Sequence, residues 1–121
     1  MTKRPFEQIL TVADLETTAD RLGNYFFTPS TMQFFKSRID WKLYNVDNSR
    51  GYFVTSEKYG DARRHYAVRQ YVVNSRDENS DVLVIDSVGD SKFASWEGAR
   101  DEAEKLQGYA LIDPKSFDIE R

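Results

Sequence analysis

Apolar residues near the start of the chain recur at the spacing of an α-helix. The stripe consists of Val12, Leu15, Ala19 and Leu22. Intervals of three and four residues place side chains on one helix face, so the pattern predicts an amphipathic helix over residues 11–22. Thr11 and Asp14 have the spacing of a capping box, and Gly23 is suited to the left-handed conformation that ends many helices.

A second helix is predicted from Thr28 onward. Thr28 is a favourable N-cap, and Pro29 fits the first helical position because its missing N–H would have no partner there. The apolar face of this helix consists of Met32, Phe35 and Ile39. We expect the helix to stop before Asp40, with Lys36 and Arg38 near the negative end of its dipole.

From residue 41 the pattern changes towards the period of two that is typical of strands. The predicted strands are 41–46, 51–56, 64–73 and 82–85. Residues 74–81 are polar throughout, which predicts a mobile loop. A last helix is predicted to begin near Ser95 and to stop at Gly108. Its apolar stripe consists of Trp96, Ala99, Ala103 and Leu106.

This order of elements is segregated rather than alternating, which predicts an α+β fold. We expect two N-terminal helices, a three- to four-stranded antiparallel β-meander and a C-terminal helix packed on one sheet face. A chain of 121 residues has the size of a single domain, so we expect one domain over 1–121. Residues 1–5 and the tail 113–121 are candidates for flexibility.

Composition excludes several classes of function. The 17 basic and 20 acidic side chains leave a net charge of −3, which argues weakly against nucleic acid as partner. The chain has no cysteine, which excludes disulfides and thiolate chemistry. No apolar segment resembles a signal peptide or reaches the roughly 20 residues that cross a bilayer, so we expect a cytoplasmic protein with no membrane partner.

Candidate catalytic and metal-binding residues are few. His65 is the only histidine, and no metal-binding or nucleophile motif accompanies it. The carboxylates at 101–104 and 77–81 fit a solvated helix face and a solvated loop better than an EF-hand. The sequence therefore predicts no enzyme, no metal and no cofactor, and a hydrolase that uses His65 is the weakest hypothesis.

The predicted strand 64–73 has one unusual face. Alternation places Tyr66, Val68 and Val72 on one side of the sheet. The other side carries Arg63, His65, Arg69 and Tyr71. These four are the predicted partner-binding residues, because basic and aromatic side chains bind phosphates and bases and are enriched at protein-binding hot spots. The alternative is an ordinary sheet face whose charges pair with Glu57 or Asp86.

Packing predicts which of these two faces is open. The C-terminal helix covers the face that carries Val68, and we expect the two N-terminal helices to bury against each other and the sheet's edge. Arg69 and Tyr71 are then substantially exposed. On this prediction Arg69→Glu weakens partner binding and changes stability by less than about 1 kcal/mol.

Three segments resemble a family of small proteins encoded by bacteriophages and prophages. They are F-T-x-S-T-M-x-F-F-x-S-R within 26–38, Y-F-V-T-S-E within 51–57 and R-x-Y-x-V-R within 64–69. The resemblance covers most of residues 25–105 and carries no catalytic residue or cofactor with it. Phage proteins of this size commonly bind and block a host protein, including defence nucleases. The resemblance therefore implies a host protein as partner, in the cytoplasm of the host cell.

The alternative function is a sheet-based nucleic-acid-binding module. From Phe93 the sequence F-x-S-W-E-G-A-R-D-E-A is similar to the helix of DNA-binding domains that lay a three-stranded sheet in the major groove. The contacts to phosphates or bases would come from Arg63, Arg64, Arg69 and Tyr71. The acidic balance of the chain counts against this alternative.

Overall fold

A computed structural model of the protein describes residues 9–47, 49–58, 60, 63–77, 80–88 and 93–112. The elements are α1 Val12–Leu22, α2 Pro29–Phe34, β1 Arg38–Asp47, β2 Arg50–Glu57, β3 His65–Asp77, β4 Ser80–Ser87 and α3 Trp96–Ile112. The four strands form one antiparallel sheet in chain order. The predicted α+β fold, with a meander and a C-terminal helix against the sheet, is confirmed. The segments predicted to be flexible, 1–5 and 113–121, lie outside the described residues.

Helix α1 begins and ends at the predicted residues. The Thr11 hydroxyl accepts a hydrogen bond from the Asp14 N–H at 3.1 Å, and the Asp14 carboxylate accepts one from the Thr11 N–H at 3.1 Å. This capping box satisfies two N–H groups that have no partner within the helix. At the other end Gly23 adopts the left-handed conformation with φ 75°. The capping box and the glycine helix end could both be predicted from the sequence, because each depends on neighbouring residues alone.

Helix α2 is shorter than predicted. It begins after Thr28 with Pro29 in its first turn, as expected, but it ends at Phe34. The Lys36 N–H donates to the Gln33 carbonyl at 3.2 Å and the Ser37 N–H donates to the Met32 carbonyl at 2.8 Å, which is the hydrogen-bond pattern of a Schellman motif. The motif turns the chain directly into β1. The apolar residue Ile39, predicted to be helical, therefore lies in a strand.

Two further boundaries differ from the prediction. The segment 74–81, predicted to be a mobile loop, mostly extends the hairpin of β3 and β4, with Asn74 paired to Val82 and Asp77 to Ser80. Antiparallel pairing uses backbone groups, so polar side chains do not prevent it. Helix α3 continues through Gly108, the predicted stop, to Ile112. A glycine inside a helix costs only about 1 kcal/mol, which the packing of the buried Ala110 in the following turn offsets.

Helices cover both faces of the sheet. On the first face α1 packs Val12, Leu15 and Ala19 against Leu43, Phe53, Tyr71, Val73 and Leu83. On the second face α3 packs Ala99, Ala103 and Ala110 against Tyr44, Tyr52, Val54 and Val68. The prediction that the N-terminal helices bury against each other and the sheet's edge is therefore wrong for α1. The face of β3 that carries Arg69 also carries the large apolar side chains of Tyr71 and Val73. Burial of these side chains beneath α1 is favourable because it removes apolar surface from water.

Strand β1 forms one edge of the sheet and departs twice from regular pairing. Register shifts separate Ile39 from Leu43 and Asn45 from Asp47. Asp40 lies between Ile39 and Leu43. Its carboxylate accepts two hydrogen bonds from the Arg100 guanidinium, at 2.8 and 2.9 Å. This pair raises the pKa of Arg100 and joins β1 to α3.

One polar contact spans three strands beneath α1. Asn45, Gly51 and Tyr71 lie side by side on β1, β2 and β3. The Asn45 side-chain amide donates to the Tyr71 hydroxyl at 2.8 Å and to the Ile9 carbonyl at 2.8 Å. Burial raises the pKa of Tyr71 well above its ordinary value, although the hydrogen bond from Asn45 acts in the opposite direction. The tyrosine reaches Asn45 by crossing Gly51, where a Cβ atom would lie 2.8 Å from the hydroxyl oxygen and 2.6 Å from the Tyr44 carbonyl oxygen.

Gly51→Ala is expected to lower the free energy of unfolding by about 2 kcal/mol, because the added methyl group overlaps backbone that cannot shift easily. Gly108→Ala is the matched control. A Cβ atom at Gly108 meets nothing within 4 Å, so this substitution should stabilise α3 by about 0.5–1 kcal/mol. Urea denaturation followed by circular dichroism measures both changes. A Gly51→Ala variant as stable as the parent protein would contradict the close approach.

Candidate functional site

The predicted partner-binding residues do not form one open surface. Tyr71 is 0% exposed and belongs to the core beneath α1. The Arg69 side chain is 19% exposed. Its Nε donates to the Thr55 hydroxyl at 3.0 Å, and its guanidinium lies 5.0 Å from the centre of the Phe26 ring. The prediction that Arg69 and Tyr71 are substantially exposed is therefore wrong, because α1 and the segment that follows it cover this face.

The other predicted residues lie at the start of β3. Arg63 is exposed and His65 is half-buried opposite Glu57 on β2. The Glu57 side chain is 4% exposed, and its Oε2 lies 3.2 Å from Arg69 Nη2. The interpretation that charges on this face pair with Glu57 is thus confirmed for Arg69. Within the described ranges, no group of three or more His, Cys, Asp or Glu side chains is arranged to hold a metal ion.

Among the described residues, the segment around α2 carries the most exposed aromatic side chains. Helix α2 has no buried residue. Phe34 on this helix is 77% exposed, and Tyr25 in the preceding turn is 78% exposed. The Phe34 ring packs edge-on against the half-buried Phe35, with 4.7 Å between ring centres. An aromatic side chain that is exposed and yet held in place is typical of a binding surface.

Hydrogen bonds on either side of α2 attach this segment to the sheet. Before α2 the Asn24 side-chain amide donates to the Leu83 carbonyl of β4 at 3.0 Å. After α2 the Lys58 N–H donates to the Phe35 carbonyl at 2.9 Å. The side chains of the helix are therefore not needed for its attachment, and most of them point outward.

A shallow cleft of about 460 Å³ lies beside α2. It is lined by Met32, Gln33, Lys36, Ser37, Arg38 and Arg64, and we call it the basic cleft. Arg64 Nη1 donates to the Lys36 carbonyl at 2.9 Å and to the Ser56 hydroxyl at 2.8 Å. Ser56 is buried in β2, so these two hydrogen bonds fix the Arg64 guanidinium relative to the sheet.

Lys36 occupies a conformation that favours glycine. Among the described residues it is the only non-glycine residue with a positive φ, at 50°. It stands at the position of the Schellman motif where glycine is usual, because a Cβ atom makes the left-handed conformation costly. The chain thus places a cation at the edge of the basic cleft at a cost in stability, as functional sites often do.

A second cleft, of about 280 Å³, lies between α1 and the start of α2. It is lined by Glu16, Asp20, Asn24, Phe27, Thr28 and Pro29. Its charged lining residues are both acidic, whereas those of the basic cleft are all cations. This acidic cleft meets α2 at its start and the basic cleft meets it from Met32 onward, so two clefts of opposite charge adjoin the α2 segment.

Sequence reasoning missed most of this surface. Lys36 and Arg38 were expected near the end of a longer helix, where they would interact only with its dipole. Because the helix ends at Phe34, they lie instead beside Arg64, which is distant in sequence. The exposed aromatic residues gave no signal, since Phe34 sits beside an apolar stripe and Tyr25 precedes two further aromatic residues.

The described chain defines a class of protein: a three-layer α+β domain with aromatic and charged side chains gathered around a surface helix. The chain matches the family of unknown function DUF7447 over residues 11–107 and belongs to this family. The match begins at the N-cap of α1 and ends within α3, so it includes both clefts. No curated protein and no solved structure matches the chain. No helix of the described residues is long and apolar enough to span a membrane.

Arg69→Met is expected to lower the free energy of unfolding by about 3 kcal/mol, because it leaves the buried Glu57 carboxylate without its cation. The double variant Arg69→Met, Glu57→Gln should recover part of this loss. The exposed Arg63→Met is the control and should change stability by less than about 0.5 kcal/mol. Chemical denaturation measures all three, and a cost below about 1 kcal/mol for Arg69→Met would contradict the role of the ion pair.

Lys36→Gly is expected to raise the free energy of unfolding by about 0.5–1 kcal/mol, because glycine adopts the left-handed conformation without strain. Gln33→Gly, in the regular part of the same short helix, is the control and should destabilise by a similar amount. Thermal denaturation distinguishes the two. Equal destabilisation by both substitutions would show that Lys36 carries no strain.

Proposed function

We propose that this protein is a non-enzymatic, phage-type binding protein that acts through protein–protein interaction, with a host or defence protein as its partner. The proposal depends on one observation. Phe34 and Tyr25 are largely exposed, and α2, the helix that carries Phe34, has no buried residue. Aromatic residues, Met and Arg are the types enriched in the cores of protein interfaces. Met32, on the same helix as Phe34, and two arginines line the basic cleft.

The attachment of α2 supports a binding role. A partner that closes over Phe34 gains the burial of a large apolar side chain. It orders little that is not ordered already, because the Phe34 ring packs against Phe35 and hydrogen bonds from Asn24 and Lys58 hold the segment. Pre-organisation of this kind increases affinity by reducing the entropy lost on association.

The proposal that the partner is a protein of a phage host is supported by the sequence resemblance alone. The segment 26–38, on which the resemblance to phage and prophage proteins depends most, contains the whole of α2. In that setting a host protein is the natural partner, and blocking its active surface is an effect that a small non-enzymatic protein can achieve. A defence nuclease is one such target.

A sheet-based nucleic-acid-binding module remains the alternative, and it has less support. Of its four contact residues Arg63 is exposed, Arg64 is held in the basic cleft, and Arg69 and Tyr71 lie beneath α1. Helices occupy both faces of the sheet on which such a module would depend. The acidic cleft at the start of α2 also disfavours a polyanion that follows the surface.

Phe34→Ser is expected to weaken partner binding by about 2 kcal/mol, which is about thirtyfold in Kd, because hot-spot aromatic residues contribute at least that much. Immobilised protein is exposed to bacterial lysate treated with nuclease, and the enriched protein is purified. Its Kd for the parent protein and for Phe34→Ser is then measured by titration calorimetry.

Leu111→Ser is the matched control. Leu111 is 57% exposed near the end of α3, so its loss removes a similar apolar group from another surface. The control should bind as the parent protein does. Equal binding by Phe34→Ser, or capture that disappears on nuclease treatment, would contradict the proposal.

A further inference from the structure

The basic cleft concentrates positive charge in a chain that has an acidic surplus. Lys36, Arg38 and Arg64 line it together, and its lining includes no carboxylate. Ion pairs elsewhere in the described chain join Arg50 to Asp47, Arg69 to Glu57, Arg100 to Asp40 and Lys105 to Glu102. In the described part of the chain, none of the three cations of the cleft has such a partner. Their charge is available to a ligand.

The donors of the cleft suit an oxygen-rich anion. Arg64 uses only Nη1 for its bonds to Lys36 and Ser56, so three of its five N–H groups have no acceptor among the described residues. Ser37 contributes a hydroxyl group and Gln33 a side-chain amide to the same lining. A guanidinium with free N–H groups binds phosphate through paired hydrogen bonds, and an ammonium adds a point charge.

The backbone at Lys36 is a second, independent observation. A left-handed residue is needed there to end α2, and glycine or asparagine would meet that need at lower cost. Lysine adds nothing to the fold at this position, since its carbonyl and N–H would make the same bonds in any residue. What lysine adds is a cation at the mouth of the cleft.

We infer that the basic cleft is a binding site for a phosphate monoester group, held by Lys36, Arg38 and Arg64. Such a group carries nearly two negative charges and three acceptor oxygens, which three cations balance better than they balance a single carboxylate. A cleft of about 460 Å³ also accommodates a small phosphorylated molecule. A nucleic acid fits less well, because the acidic cleft at the start of α2 repels an extended polyanion.

The test uses inorganic phosphate as the probe and the full chain labelled with ¹⁵N. Phosphate is titrated at constant ionic strength maintained with chloride, and amide shifts are followed by NMR. We expect saturable shifts at Gln33, Lys36 and Ser37, and an affinity at least about tenfold higher than for acetate. Phenyl phosphate should shift the same amides, since it carries the same group.

Lys36→Gly is the decisive variant, because it keeps the helix end and removes only the cation. It should weaken phosphate binding by about tenfold, as the loss of one charge-assisted hydrogen bond does. Lys42→Ser removes a charge from β1 outside the cleft and should leave the affinity unchanged. Phe34→Ser should also leave it unchanged, so that failure of this inference and failure of the proposed protein interface are distinguishable.

Three results would overturn the inference. The first is the absence of saturable shifts at the cleft, and the second is equal weakening by Lys36→Gly and Lys42→Ser. The third is binding of a thymidine oligonucleotide through the same amides with an affinity more than about tenfold above that of phosphate, which would assign the cleft to nucleic acid.

Discussion

The contact between Asn45 and Tyr71 across Gly51 determines how the first face of the sheet is covered. A tyrosine at this position needs a partner for its hydroxyl group when it is buried, and Asn45 supplies it. The same amide holds the Ile9 carbonyl and so fixes the chain just before α1. Helix α1 then covers the register that carries Arg69, and that arginine becomes the internal partner of Glu57. A face that looks suited to binding in the sequence is thereby used for folding.

With helices on both faces of the sheet, recognition must use the outer surfaces of the helices, the loops or the sheet edges. Helix α2 differs from the other two in how it is attached. Helices α1 and α3 bury apolar residues, whereas α2 buries none and is held by hydrogen bonds at Asn24 before it and at Phe35 after it. Phe34 on this helix and the cations Lys36 and Arg38 that follow it are consequently exposed at the surface. The proposed protein interface and the proposed anion site are neighbours for this one reason.

Several local signals in the sequence were reliable, whereas the stop at Gly108, the loop at 74–81 and the signals about distant packing were not. The capping box at Thr11, the N-cap at Thr28 and the alternation along β3 depend on neighbouring residues, and the structure has all three. Alternation distinguishes the two faces of a strand but does not say which helix covers each face. Both faces of this sheet include apolar residues, so α1 packs on the face that carries Arg69. The charges of Arg63 and Arg69 made that face look solvent-exposed in the sequence.

The end of α2 could not be predicted for a different reason. Lysine has no preference for the left-handed conformation, so nothing in its identity indicates a helix end at Lys36. The spacing of Phe35 and Ile39 also continued the helical pattern by coincidence, because the second residue belongs to a strand. The basic cleft depends on this turn and on a hydrogen bond to Arg64, which is distant in sequence, and neither is visible in the order of residues.

The irregular pairing of β1 affects the tendency of the sheet to associate with other copies of the protein through this edge. An edge strand with free backbone groups at regular intervals is a template on which another chain can add. Here two register shifts interrupt those intervals, and Asp40, within the first of them, is paired with Arg100 of α3. A neighbouring strand finds no continuous row of partners on β1. The sheet therefore resists growth from this edge into filaments, even at the high concentrations that a strongly expressed protein reaches in a cell.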